Sequence, residues 1–198
     1  MQRRFLIAAA LLSIAALSLP SGATAAGTPP QYRIEFATSR GDFIVGIVRA
    51  QAPHGADRLY DLVQHHFFDG ARFYRVVPGF VVQWGYAADP AVTNKWKGAI
   101  ADDPVGASNT RGTVTFAATS EPNSRTTQLF VNYADNARLD GLGFAPVGKV
   151  LSGMEIVDRI YSGYGQSPDQ GRIAVDGNQY LSKEFPKLDY IKTARIVN

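Results

Sequence analysis

Apolar and polar residues alternate along much of the chain after residue 30, which predicts a protein built mostly from short strands. In "YRIEFATS" the side chains of Tyr32, Ile34 and Phe36 fall on one face and charged side chains on the other. This period of two is typical of a half-buried strand. "FIVGIV" follows a turn, and further runs such as "GTVTFAA", "QLFVN", "FAPVGKV" and "LDYIKTARIV" bring the predicted count to about eight strands. Strands at both ends of the chain favour closure into a barrel, since their pairing removes exposed edges.

Two segments follow a helical period instead. After Pro53, apolar residues recur at a spacing of three and four up to Phe67, which predicts an amphipathic helix of about three to four turns. Ser152 and Glu155 have the S-x-x-E spacing of a capping box, which predicts the start of a second helix. Residues 86–111 show neither period and are predicted to form a long loop. A second predicted loop, rich in glycine, precedes the final strand.

The first 25 residues have the pattern of a secretory signal peptide. "MQRRFLIAAALLSIAALSLPSGATAA" joins a basic start to an apolar run and a small-residue cleavage site. Without Arg3 and Arg4 the charge is 18 − 17 = +1, and no block of basic residues remains, so nucleic acid is not an expected partner. We therefore predict a signal peptide at 1–25 and a folded domain at 26–198. The location is predicted to be periplasmic, with secretion beyond the cell left open and no membrane anchor after cleavage.

Several kinds of chemistry find no support in the sequence. The chain has no cysteine and three histidines, and no metal motif of the H-E-x-x-H type is present. Neither a nucleophile elbow nor a phosphate-binding glycine loop occurs. The adjacent carboxylates of Asp102 and Asp103 precede a proline, where turn formation is the simpler interpretation. No metal site and no cofactor are predicted.

The stretch "RFYRVVPGFVVQWG" is unusual because polar residues interrupt an apolar hairpin. If the turn centres on Gly79, Arg75 lies directly opposite Gln83 on one face. Apolar residues share that face, which favours a partly apolar groove over a solvated surface. Gln128 and Phe130 share a face on "QLFVN" in the same way. Such a groove suits a ligand with an apolar part and acceptor groups, as a peptide has.

These residues carry a family resemblance. "FYRVVPGFVVQWG", "TFAATSEPNSRTTQLFVN" and "RLDGLGFAPVGKV" resemble, in order, three signature segments of the cyclophilins. The resemblance runs from about residue 32 to 197. It implies a mainly β fold, a closed eight-stranded antiparallel barrel capped by two α-helices, and peptidyl-prolyl cis–trans isomerase activity that needs no cofactor. It also implies proline-containing polypeptides as partners, and we predict a monomer.

The resemblance also assigns roles to residues. It implies that Arg75 is catalytic and that Gln83 steadies the arginine and the substrate. The residues that it implies for substrate binding are Phe80, Val81, Ala117, Ala118, Gln128, Phe130, Leu139 and Phe144. An alternative use of the same groove is a non-catalytic proline-peptide-binding module or holdase chaperone. The client proteins, the residue preferred before proline, the role of the 86–111 loop and the oligomeric state stay open.

Four positions depart from the family pattern. Many cyclophilins have tryptophan where this chain has Arg138, and Phe144 replaces a histidine near the pocket rim. Leu129 and Trp84 are the other two departures. We expect these four residues to alter the rim of the pocket, to weaken cyclosporin binding and to shift the preference for the residue before proline.

Overall fold

The computed structural model describes residues 27–198. The predicted signal peptide at 1–25 lies outside the described residues, so its presence and cleavage stay predictions. The described part corresponds to nearly all of the predicted domain at 26–198.

Eight antiparallel strands make up one sheet. They are β1 (Gln31–Thr38), β2 (Gly41–Val48), β3 (Arg75–Val77), β4 (Val81–Trp84), β5 (Thr113–Phe116), β6 (Leu129–Asn132), β7 (Pro146–Ser152) and β8 (Ile191–Val197). Their spatial order is β3-β4-β6-β5-β7-β2-β1-β8. The predicted mainly β class and the eight antiparallel strands are confirmed. The last strand begins at Ile191, three residues later than predicted.

The alternation seen in the sequence decides which face of the sheet is buried. Tyr32, Ile34 and Phe36 of β1 are buried and lie beside the buried inward residues of β2. The rings of Phe36 and Phe43 stack with their centroids 5.0 Å apart. A strand whose alternate residues are apolar must turn that face inward, and the register of β1 against β2 follows from this requirement.

The sheet curls into an open half-barrel, so the predicted closed barrel is not confirmed. β3 and β8 are the two ends of the strand order and share no ladder. They approach through a single bridge between Arg72 and Tyr190. Around it Gly70 N–H donates to the carbonyl of Ile191 over 2.8 Å, and Ile191 N–H donates to Ala71 over 2.8 Å. The segment before β3 thus bridges the gap that three-residue β3 is too short to span.

The prediction of two helices is wrong, because the described residues contain four α-helices. The two predicted ones are present as α1 (Pro53–Gln64) and α3 (Met154–Asp158). Two further helices, α2 (Pro90–Lys95) and α4 (Gln170–Glu184), lie where the sequence predicted loops. Within residues 27–198, no helix combines the length and the apolar character that a membrane crossing requires.

Helix α4 was not predicted from the sequence, because a glycine interrupts it. Gly177 has φ 53° and ψ −137°, so the segment consists of two helical pieces joined at a kink. The Asp169 side chain caps the first piece by accepting a hydrogen bond from Arg172 N–H at 2.8 Å. Ile173 and Leu181 of this helix are buried against Tyr74, which lies just before β3. A second small core therefore forms behind the predicted hairpin.

Asp103, in the long loop, has a structural role. Its Oδ1 and Oδ2 accept hydrogen bonds from His54 N–H and Gly55 N–H at 2.9 and 2.8 Å, in the first turn of α1. Arg125 Nη1 donates to Asp103 Oδ2 over 2.9 Å. The N–H groups of the first helical turn have no partner within the helix, so Asp103 caps α1 from 48 residues away by accepting from two of them.

Candidate active site

The hairpin of β3 and β4 has the predicted register. Arg75 pairs with Gln83, Val76 with Val82 and Val77 with Val81. The turn contains Gly79 with φ 72°, a left-handed conformation that glycine adopts without strain. Val76 and Val82 point into the main core, whereas Arg75 and Gln83 lie on the opposite face. The polar pair therefore lies outside the curled sheet.

Arg75 is held by amides. Its Nη1 donates to Gln83 Oε1 over 3.1 Å, and its Nε donates to Gln166 Oε1 over 3.3 Å. Gln83 is only 5% exposed, while Arg75 is partly exposed. Among residues 27–198 no carboxylate lies within ion-pair distance of Arg75, so the guanidinium keeps its positive charge uncompensated.

A buried network fixes Gln83 in turn. Gln83 Nε2 donates to the Tyr74 hydroxyl over 2.7 Å and lies 3.1 Å from Gln128 Oε1. The Tyr74 hydroxyl donates to the same Gln128 oxygen. Burial raises the pKa of Tyr74 well above its ordinary value of 10, so its hydroxyl keeps its proton. Gln83 consequently has one orientation, with its oxygen toward Arg75.

An apolar pocket lies beside this polar pair. Val81, Phe130 and Leu139 form its buried part, and Phe80, Ala117 and Phe144 pack against them. The rings of Phe130 and Phe144 meet edge to face with centroids 6.0 Å apart. The pocket has a volume of about 300 Å³. The structure brings all ten predicted site residues to it, namely Arg75, Phe80, Val81, Gln83, Ala117, Ala118, Gln128, Phe130, Leu139 and Phe144. Their individual roles stay predictions.

Other lining residues were not predicted from the sequence. Thr119, Ser124, Thr126 and Gln170 also line the pocket. Tyr74 and Gln166 act on Gln83 and Arg75 from outside the pocket wall. Tyr74 directly precedes Arg75 in "FYR". Strand alternation did not identify it as a site residue, because the irregular segment before β3 does not alternate. No sequence signal marked Gln166, since its loop is joined to β3 by a tertiary contact, in which Val76 N–H donates to the carbonyl of Gly165 over 2.8 Å.

Two of the four departures from the family pattern do not alter the rim. Trp84 is fully buried, and its ring contacts Phe36 and Phe73, with both centroid distances at 5.6 Å. Leu129 is also fully buried in the main core. Both residues alternate with rim residues along their strands, so they must face the inside of the sheet. The expectation for these two positions is wrong, whereas Phe144 lines the pocket and Arg138 lies over Phe80.

The rim carries two cations against one ring. The guanidinium carbon of Arg138 lies 4.7 Å from the centre of the Phe80 ring, and that of Arg75 lies 5.5 Å from it. Both distances are within the range of cation–π attraction.

In the described part of the chain, no group of histidine, cysteine, aspartate or glutamate is arranged to hold a metal ion. The site is therefore an apolar pocket bordered by fixed cationic and amide donors.

Comparison with known proteins assigns the chain to a family. Residues 33–177 match the family model of the cyclophilin type peptidyl-prolyl cis-trans isomerases. The chain is 38% identical over 166 residues to peptidyl-prolyl cis-trans isomerase A of Dickeya dadantii, an alignment that covers 78% of this chain and 83% of that protein. It is 32% identical to peptidyl-prolyl cis-trans isomerase B of Escherichia coli, with 80% of this chain and 94% of that protein covered.

Solved structures share the fold. A cyclophilin type peptidyl-prolyl cis-trans isomerase from Cryptosporidium parvum, crystallised in the presence of the dipeptide Ala-Pro, is similar with a TM-score of 0.65 and 20% identity. That match covers 84% of this chain and 99% of the other. At this identity the likeness concerns the fold alone. Together with the family model and the more identical relatives, it leads to one conclusion: the chain belongs to the cyclophilin-type peptidyl-prolyl cis-trans isomerase family.

Proposed function

We propose that this cyclophilin-type isomerase accelerates the folding of exported polypeptides by stabilising the twisted form of their X-Pro peptide bonds. The observation that carries the proposal is the side-by-side arrangement of Arg75 and the apolar pocket. Arg75 is fixed by Gln83 at 3.1 Å, and Phe80, Phe130 and Leu139 line the adjoining cavity. A proline ring fits the apolar part, and its amide then lies beside the guanidinium.

The chemistry needs no nucleophile and no proton transfer. Resonance between the amide nitrogen and the carbonyl sets a rotation barrier of about 18–20 kcal/mol. In the twisted transition state this resonance is lost, and the proline nitrogen regains a lone pair. An enzyme accelerates the rotation when it binds that twisted state more tightly than the planar one.

Arg75 supplies the donor that such selectivity requires. A guanidinium carries a permanent charge and holds its N–H groups in a rigid fork. It can donate to the proline nitrogen only when the nitrogen lone pair is released, so the bond strengthens in the transition state. A carboxylate partner would neutralise much of this effect, whereas Gln83 orients the guanidinium and leaves its charge in place.

The apolar pocket anchors one end of the rotating bond. Val81, Phe130 and Leu139 are buried and form a firm wall for the proline ring. The ring stays fixed while the preceding residue turns, and the exclusion of water strengthens the hydrogen bond from Arg75. Ala117, Ala118 and Gln128 line the remainder of the groove, where the substrate backbone is proposed to lie.

The compartment and state of the protein belong to the same proposal. The basic start, apolar run and small-residue site in residues 1–25 support export and cleavage, which would release the domain into the periplasm as a monomer without a membrane anchor. The Ala-Pro dipeptide was present in the crystals of the Cryptosporidium parvum relative. By analogy, proline-containing polypeptides are the proposed substrates here.

The test combines localisation with catalysis. The full chain is expressed in a Gram-negative host, and periplasmic extract is assayed by NMR exchange on a short peptide with one X-Pro bond. We expect accelerated exchange and a mature N-terminus at residue 26. Arg75→Ala should lower kcat/KM about 10- to 100-fold, because a charge-assisted hydrogen bond is worth roughly 1.5–3 kcal/mol.

Arg159→Ala is the matched control. Arg159 is exposed, directly follows the short helix α3, and does not line the pocket. Full activity in Arg75→Ala would overturn the mechanism. Binding of the peptide without any acceleration by the wild type would favour the non-catalytic binding module or holdase. Activity confined to the cytoplasmic fraction, with the leader intact, would contradict the proposed export.

A further inference from the structure

Arg138 has an unusual position at the edge of the pocket. It belongs to a short 3-10 helix, Ala137–Leu142, and its side chain is exposed. Its guanidinium carbon lies 4.7 Å from the centre of the Phe80 ring, and its Nη1 donates to Asn136 Oδ1 over 3.3 Å. Within residues 27–198 its other side-chain N–H donors make no hydrogen bond, so they are free to bind a ligand. The aromatic ring and Asn136 hold the cation in a defined place.

The charge of Arg138 is not compensated within residues 27–198. Other arginines of the described chain, such as Arg49, Arg111 and Arg195, contact a carboxylate at 2.6–2.8 Å. Neither Arg138 nor Arg75 has a carboxylate within 4.0 Å, and the pocket lining contains no aspartate or glutamate. Two fixed cations therefore border Phe80 with no anion beside them.

We propose that Arg138 forms a subsite for an acidic side chain of the substrate. The inference rests on the proposed isomerase function. It assigns the enzyme a preference for X-Pro bonds with aspartate or glutamate adjacent to the proline. Phe80 borders the proline pocket, so a residue next to a bound proline has its side chain near this ring. A carboxylate there is attracted by the guanidinium of Arg138, which can hold it with two parallel hydrogen bonds, while Arg75 stays paired with amides only.

A purely structural role for Arg138 predicts a different result. If the side chain only covers Phe80, it would affect glutamate and glutamine peptides equally, because both have the same length and similar apolar area. A charge subsite discriminates between them. The ratio of kcat/KM for a Glu peptide to that for the matched Gln peptide is therefore the readout that isolates the proposal.

The experiment uses two pairs of short peptides, with Glu or Gln placed immediately before the proline in one pair and immediately after it in the other. At low ionic strength we expect a Glu/Gln ratio of about three to five in at least one pair, which is the size expected for a partly exposed ion pair. Arg138→Gln should bring that ratio close to one, and Arg138→Glu should invert it. Roughly 0.5 M salt should reduce the wild-type ratio, because exposed charges are screened.

Arg159→Gln serves as the control for a general loss of positive charge, and its ratio should equal that of the wild type. A ratio near one in the wild type for both pairs, or an unchanged ratio in Arg138→Gln, would overturn the subsite. The same peptides are also titrated against each protein by isothermal calorimetry. If exchange is not accelerated at all, the isomerase proposal fails, and the Glu/Gln ratio of Kd still decides whether the acidic subsite exists.

Discussion

Arg75 and Arg125 are both ordered arginines, yet the protein surrounds them with opposite partners. Arg125 is 2% exposed, with its Nη1 2.9 Å from Asp103 and its Nε 3.3 Å from Asp102. Arg75 is partly exposed and contacts the amide oxygens of Gln83 and Gln166. One guanidinium is neutralised by carboxylates, and the other is only oriented by amides.

The difference follows from what each charge has to do. Arg125 fastens the long loop to the capped start of α1, and its buried charge needs an opposite charge to offset its desolvation. In the proposed mechanism Arg75 acts on an incoming amide through its positive charge, and an adjacent carboxylate would cancel that charge. The carboxylates beside Arg125 suit a structural role, and the amides beside Arg75 suit the catalytic role proposed for it.

The largest expected effect is on stability, from breaking the Arg125 site. Arg125→Ala leaves the buried Asp103 side chain, which is 0% exposed, without its counter-ion. We expect the free energy of unfolding to fall by about 3–5 kcal/mol, the usual cost of removing one partner of a buried pair. Urea denaturation followed by tryptophan fluorescence measures this change.

Arg111→Ala is the matched control for an ion pair at the surface. Arg111 contacts Asp158 at 2.7 Å, but the two side chains are 46% and 41% exposed. Its loss should cost no more than about 1 kcal/mol. If the two variants are destabilised equally, burial is not what distinguishes the Arg125 site, and the structural half of the comparison fails.

The second effect is on catalysis, from making the Arg75 site resemble the Arg125 site. Gln83→Glu places a carboxylate where Gln83 Oε1 now lies, 3.1 Å from Arg75 Nη1. The Tyr74 hydroxyl can donate to the new carboxylate, so the hairpin should fold. We expect kcat/KM to fall about tenfold, because replacing a charge-assisted bond to the substrate by one from a neutralised donor costs roughly 1–1.5 kcal/mol.

Gln170→Glu separates the direct contact from the field of an added charge. Gln170 lines the same pocket, and no hydrogen bond joins it to Arg75. The expected loss is about two- to threefold with the NMR exchange assay. A loss as large as that of Gln83→Glu would mean that any carboxylate in the pocket inhibits, and that the amide beside Arg75 has no special importance.

Much of this site could be predicted from the sequence because it depends on local rules. The Pro78–Gly79 turn sets the register of the hairpin, and the register places Arg75 opposite Gln83. The ten site residues follow from the family resemblance. The strand count follows from the period of two, which is strong wherever one face of a strand is buried.

The parts that the sequence did not predict depend on tertiary contacts. Helix α4 contains Gly171 and a kink at Gly177, and it is stable because Ile173 and Leu181 pack behind Tyr74. The helical period of α4 is therefore weak in the sequence, although its first residue, Gln170, lines the pocket. The open edge of the sheet has a similar origin, since strands at both chain ends suggest closure but the short strand β3 leaves one bridge in place of a ladder.

The smallest expected effect concerns the support behind the amide. In Tyr74→Phe the hydroxyl that accepts from Gln83 at 2.7 Å and donates to Gln128 is lost, so Gln83 can rotate away from Arg75. We expect kcat to fall about three- to fivefold with little change in KM, because the loss of one hydrogen bond is worth about 1 kcal/mol and the apolar pocket is unchanged. Between pH 6 and 9 the wild-type rate should not change through this tyrosine, because burial raises its pKa well above 10 and the proton stays in place.

Tyr180→Phe is the control, because Tyr180 is also buried in the small core beside α4 and its hydroxyl accepts from Asp169 N–H at 3.1 Å. Both variants lose one buried hydroxyl, so both should be destabilised to a similar extent in urea. Only Tyr74→Phe should lose kcat, since only Tyr74 contacts the amide that orients Arg75. An equal loss of kcat in both variants would show that the small core matters as a whole, and that Arg75 is positioned by the packing of α4 and not by the tyrosine hydroxyl.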